Sequence, residues 1–164
     1  MKAYTSLLIY TLVLASPSTL AASFIGPKTY AVVGVSGTDS LALRAQASRT
    51  ARLITRIPFN AIQVHNLGLR TNGWCKVEYA KAIGWSACRY LGESSGARYY
   101  SSQGYTHKLP FYRSATKSSA IVGYLPAYET GIEGLGACIG NWCKIKHNNK
   151  QGWVQRQYLA SWQF

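Results

Sequence analysis

Acidic side chains are scarce in this chain: five Asp and Glu stand against 18 Lys and Arg in 164 residues, a formal net charge of +13. Asp39, Glu78, Glu93, Glu129 and Glu133 are the whole carboxylate set, and no two recur at matching places. A glycosidase needs two carboxylates held across the scissile bond, and no such pair can be assigned. Histidine is nearly as rare, with His65, His107 and His147 only. None stands in a motif that would activate a cysteine nucleophile. The cysteines lack the Cys-x-x-Cys spacing of redox exchange. Apolar residues at helical spacing are also missing. Short runs of β-branched and aromatic residues, broken by Gly, Asn and Ser, take their place and indicate an all-β chain.

The one long uncharged run lies at the start. Lys2 is followed by an unbroken stretch from Leu7 to Ala15, then Pro17 and Ser18, then small residues at Ala21 and Ala22. This reads as a signal peptide over residues 1–22. The run is too short to span a bilayer, which takes about 20 apolar residues. No transmembrane segment is expected in the mature chain. Loss of Lys2 with the leader lowers the charge from +13 to +12. The remaining Lys and Arg are scattered, which suits a folded body with a positive surface rather than a basic tail. An exported protein meets little nucleic acid, so none is expected as a partner. Anionic envelope components are the matching class.

An internal repeat organises the mature chain. Residues 72–91 (NGWCKVEYAKAIGWSACRYL) match residues 140–159 (GNWCKIKHNNKQGWVQRQYL) at an ungapped offset of 68, with seven identities in twenty. Trp74, Cys75, Lys76, Gly84, Trp85, Tyr90 and Leu91 carry them. The match continues upstream, with Pro58 on Pro126 and Leu53-Ile54 on Ile121-Val122. One inserted residue would bring Arg44 onto Arg113. Two copies of a unit of about 60 residues follow. The expected units are 28–92 and 105–164, joined by a Gly- and Ser-rich linker over 93–104 whose middle, 98–100, is not linker-like: its aromatics either pair as an entry strand or pack between the domains. Strands are expected in the first unit over 31–35, 41–44, 53–57, 61–66, 74–79 and 84–87. Asn72-Gly73 is a two-residue hairpin signal. Many short strands in so small a unit imply a small, partly open barrel.

Four cysteines remain in the exported chain: Cys75, Cys88, Cys138 and Cys143. An even count in an exported small domain points to disulfides. With Gly140-Asn141 as a two-residue loop, Cys138 faces Cys143. With Lys81-Ala82 as the next turn of the first copy, Tyr79 faces Gly84 and Cys75 faces Cys88. The expectation is one bridge per copy, Cys75–Cys88 and Cys138–Cys143. A zinc site would have to draw its ligands from different domains, so no metal and no cofactor is expected.

The order of motifs resembles the bacterial SH3 (SH3b) domains. The first copy shows Leu41-Ala42-Leu43-Arg44, Ile57-Pro58, Gly73-Trp74-Cys75-Lys76-Val77, Gly84-Trp85 and Tyr90-Leu91. The second shows Phe111-Tyr112-Arg113, Leu125-Pro126, Trp142-Cys143-Lys144-Ile145, Gly152-Trp153 and Tyr158-Leu159. The resemblance implies two tandem SH3-like barrels and a non-catalytic binding protein of the bacterial periplasm or cell surface. It implies recognition of peptidoglycan or another anionic envelope component; the alternative is an adaptor or accessory factor binding an envelope protein. Trp74, Trp142, Arg44, Tyr112 and Arg113 are the candidate ligand-binding residues. Trp85 and Trp153 are expected to keep the fold rather than bind.

Overall fold

A computed structural model describes residues 26–162. The expected leader, 1–22, lies outside them. Fourteen strands fall into two sheets of seven. The first holds β1 (Thr29–Val32), β2 (Ser40–Arg44), β3 (Leu53–Pro58), β4 (Val64–Thr71), β5 (Trp74–Tyr79), β6 (Ala82–Ala87) and β7 (Leu91–Glu93). The second holds β8 (Arg98–Ser102), β9 (Leu109–Tyr112), β10 (Ile121–Leu125), β11 (Ile132–Gly134), β12 (Trp142–His147), β13 (Lys150–Gln155) and β14 (Leu159–Trp162). Their spatial orders, β3-β2-β6-β5-β4-β1-β7 and β10-β9-β13-β12-β11-β8-β14, are the same order repeated. A single 3-10 turn precedes the last strand of each, at Cys88–Tyr90 and Arg156–Tyr158. The molecule is all-β, with two SH3-like barrels in tandem. Among the described residues no helix is long and apolar enough to cross a membrane.

Alternation decides which side of each strand is buried. Cys75 and Val77 point inward from β5, and Leu41 and Leu43 from β2. Cys143 and Ile145 repeat this on β12, and Leu109 and Phe111 on β9. Gly84 explains the Gly-Trp motif. A Cβ there would lie 2.6 Å from the Arg44 carbonyl oxygen, and at Gly152 it would lie 2.7 Å from that of Tyr112. Only glycine lets β6 and β13 cross β2 and β9 this closely.

One open expectation is resolved and two details depart from the sequence-based expectation. The 93–104 segment carries β8, which pairs with both β11 and β14 and buries Tyr100 completely. Its aromatic middle is a core strand of the second barrel, because Arg98, Tyr100 and Ser102 share one face. The repeat also needs no insertion at its Arg positions. Arg44 pairs with Trp85 and Tyr112 pairs with Trp153, so Tyr112 is the counterpart of Arg44. Arg113 stands in the place of Ala45: their amides bond the carbonyls of Ala120 and Arg52 alike. Finally, the β5–β6 turn is Ala80-Lys81, with Tyr79 opposite Ala82 and Cys75 opposite Ser86. Both turn residues have positive φ, 48° and 68°, the backbone of a type I′ hairpin.

The disulfides are Cys75–Cys88 and Cys138–Cys143. The second follows the expected hairpin, since Ile139 and Trp142 exchange both backbone bonds across Gly140-Asn141. The first forms differently. Cys88 lies beyond the end of β6, and its 3-10 turn brings the thiol back over Cys75. Two such bridges fit an oxidising environment outside the reducing cytosol.

Candidate functional site

Outward-facing residues of β2, β5 and β6 form one wall of a cleft of about 520 Å³ in the first barrel. Trp74 lies on its floor beside Asn72-Gly73, whose left-handed backbone (φ 46° and 79°) turns β4 back into β5. Arg44 enters from β2, Arg49 from the β2–β3 loop, and Arg89 and Tyr90 from the 3-10 turn. Gly34, Val35, Ser36 and Asp39, from the loop between β1 and β2, make the opposite wall.

Arg44 and Arg89 are held but not used up. Arg44 Nη1 donates to the Ala51 carbonyl at 2.8 Å. Arg89 Nη2 donates to the Tyr90 hydroxyl at 3.1 Å, and its guanidinium stacks 4.7 Å from the ring centroid. Each guanidinium carries five donors in a planar fork, so most remain for a ligand. Among the described residues Lys146 Nζ pairs with Glu133 at 3.3 Å, and His147 Nε2 lies 3.6 Å from Glu129 Oε1, both on the second barrel. Three arginines and one carboxylate, Asp39, line the cleft. Asp39 accepts the Ser40 amide at 2.7 Å and stands at the rim. The cleft therefore offers cationic donors, two aromatic surfaces and one carboxylate.

The matching surface of the second barrel has diverged. Tyr112 replaces Arg44 and packs edge-on against Trp142, centroids 5.8 Å apart. Gln157 stands where the first barrel has Arg89, and Arg156 where it has Cys88. An aromatic pair thus covers the ground that guanidinium groups occupy in the first barrel.

No protein-family model and no curated protein matches this chain. Solved structures with a partial likeness include NlpC1 and NlpC2 from Trichomonas vaginalis. NlpC1 is 18% identical over 84% of this chain and 48% of its own, with a TM-score of 0.33. NlpC2 is 17% identical over 85% of this chain and 49% of its own, also with a TM-score of 0.33. This chain spans about half the length of either. The functional reading rests on the chain's own residues.

The structure brings Trp74 and Arg44 together in the cleft, and Trp142 and Tyr112 together on the second barrel. Arg113 joins neither group, being exposed on the loop after β9. Trp85 and Trp153 are half-buried on the outer faces of their sheets, not in the cores. Lys76 stands directly across from Trp85, its Nζ 6.0 Å from the ring centroid. Sequence reasoning missed Arg49 and Arg89. Neither belongs to a local motif, because a loop and a turn far apart in the chain bring them together.

Proposed function

We propose that this is an exported, non-catalytic binding protein of the bacterial periplasm or cell surface, a member of the SH3b class. Its first barrel seats an anionic cell-envelope glycopeptide, with peptidoglycan the leading candidate. The observation that carries this reading is the convergence of Arg44, Arg49 and Arg89 on Trp74 and Tyr90 in one cleft, with Asp39 as the carboxylate among its lining residues. Guanidinium forks suit the carboxylates of a wall peptide, and the aromatic faces suit its sugar or peptide planes. Asp39 at the rim suits an ammonium group. The spread of the five carboxylates supports the non-catalytic reading. Glu133 pairs with Lys146, Glu129 lies against the His147 ring, and Glu78 lies on the outer face of β5.

The test is retention of the mature protein on purified peptidoglycan sacs. Retention is expected, and it should weaken as salt rises from about 50 to 500 mM, because partly exposed charges are screened over this range. A hydrogen bond to a charged group contributes about 1.5–3 kcal/mol. Arg44→Gln and Arg89→Gln should each lower affinity roughly tenfold or more. Release of soluble sugar or peptide fragments would overturn the non-catalytic reading. The second reading, a protein adaptor, is favoured by exposed Ile121, Tyr124, Tyr128 and Ile139, all on the second barrel. Capture of one protein partner with no retention on sacs would select it.

A further inference from the structure

The wall of the cleft is not held by the first barrel alone. The loop between β1 and β2 lies along β14 of the second barrel as a short extra strand. Gly34 N–H donates to Ser161 O at 2.9 Å, and Ser161 N–H donates to Val35 O at 2.9 Å. Gly37 N–H donates to Leu159 O at 2.7 Å, and Ser36 bridges Ala160. Two side chains reinforce this pairing. The Ser161 hydroxyl accepts the Val35 amide at 3.0 Å. Gln103 Nε2 donates to the Ser36 hydroxyl at 2.7 Å and to Leu159 O at 3.0 Å. Gly34, Val35 and Ser36, three residues of the cleft wall, are thus the residues that the second barrel grips.

β14 is the terminal strand of its sheet and pairs with β8 on its other side only. An unpaired strand edge is a ready template for another chain segment, and here the first barrel supplies one. The fit leaves no slack. A Cβ on Gly37 would fall 1.8 Å from the Arg156 carbonyl oxygen.

We propose that the second barrel is a working part of the first barrel's binding site, with Ser161 and Gln103 as positioning residues that fix the cleft wall. Peeling the loop from β14 would widen the cleft and carry Asp39 away from the arginines. This inference takes the cleft from the reading above as the binding site. Its physical core, a wall held by the partner barrel, does not depend on which ligand enters.

Two measurements on the whole mature chain test it. The first is residue-resolved amide exchange. In Ser161→Ala the Val35 amide loses its acceptor, and its exchange should quicken at least tenfold. In Gly37→Val the new side chain cannot be accommodated, so the amides of Gly34 and Val35 should both quicken. Amides of β5 should stay as protected as in the parent, showing that the barrel itself is intact. The second is retention on peptidoglycan sacs. Ser161→Ala and Gln103→Met should each lower it several-fold, and Ser161→Thr, which keeps the hydroxyl, should restore it. Unchanged exchange at Val35 and Gly34 would overturn the proposal, as would unchanged retention on a loosened wall. If the parent protein is not retained on sacs, the ligand assignment fails, and exchange alone decides whether the second barrel holds the wall.

Discussion

Tyr100 belongs to the core of the second barrel, yet its hydroxyl reaches into the first. Asn60 Nδ2 donates to it at 3.1 Å, and the ring stacks on Phe59 with centroids 5.7 Å apart. Arg98 adds a bond from Nε to the Asn60 carbonyl at 3.1 Å. Burial pushes the Tyr100 phenol above its usual value, while the Asn60 hydrogen bond and the Arg98 charge pull the other way. The sign of the consequence follows from which state ionises first. The unfolded chain releases this proton near pH 10, and the folded chain holds it to a higher pH. Below the unfolded value both states keep the proton and the burial preference is fully met. As pH rises above about 10 the unfolded state gains by ionising, so stability falls until the folded value is passed. Tyr100→Phe removes this titration together with the Asn60 hydrogen bond and the long contact of 3.9 Å to Cys138 Sγ. At pH 7 the variant should be about 1 kcal/mol less stable. Above pH 10 the gap should close. Urea unfolding of both proteins at a series of pH values checks this, and parallel pH profiles would refute it.

At the level of the strand and hairpin, the two disulfides staple equivalent strands to different neighbours. Cys75 and Cys143 occupy the same place on β5 and β12. One bonds the turn after β6, 13 residues on, and the other bonds the residue five before it in the preceding hairpin. The chain-entropy model gives about 3 kcal/mol for the longer closure and about 2 kcal/mol for the shorter. Replacing Cys75 and Cys88 together by Ala should therefore cost more than replacing Cys138 and Cys143, as read from the urea midpoint; the reverse order would contradict the model. The hairpins also show how far local sequence was readable. Asn72-Gly73 announced its turn because both residues tolerate positive φ. Ala80-Lys81 takes the same backbone with residues that do not advertise it, which is why the β5–β6 turn was expected one residue further along and the register two residues off. β5 was legible because Trp74-Cys75-Lys76-Val77 alternates cleanly. β8 was legible only in part: its aromatics suggested an entry strand or a seam, and its partners lie on distant strands. The pair Arg44 and Tyr112 was hidden by the neighbouring Arg113, whose matching letter invited a gap that the backbone does not contain. Arg89 and Arg49 could be placed in the cleft only once the strands were ordered in space.

For the whole molecule, the question is whether two repeats behave as two domains. Each sheet is built from its own continuous stretch of chain, and duplication alone would predict independent units. The seam argues otherwise. Buried side chains from both barrels form one connected core cluster, running from Tyr30 and Leu43 in the first to Ile145 and Leu159 in the second. Phe59 stacking on Tyr100 joins the two halves, and the backbone bonds from Gly34, Val35 and Gly37 to β14 add a shared sheet edge. Losing either barrel would expose apolar surface on the other, and losing the second would leave the amides of Gly34 and Gly37 without their acceptors. Cooperative unfolding of both halves together is therefore expected, with calorimetric and van't Hoff enthalpies in agreement. Ile145→Ala provides the decisive variant. Ile145 is fully buried in the second barrel and lines neither the seam bonds nor the cleft. Such a truncation costs about 2–5 kcal/mol. In a coupled molecule it should lower a single transition as a whole and speed global amide exchange in β5 of the first barrel by the same free energy. If instead a second transition separates at the parent temperature and β5 exchange is unchanged, the barrels fold alone, and the seam joins two finished domains.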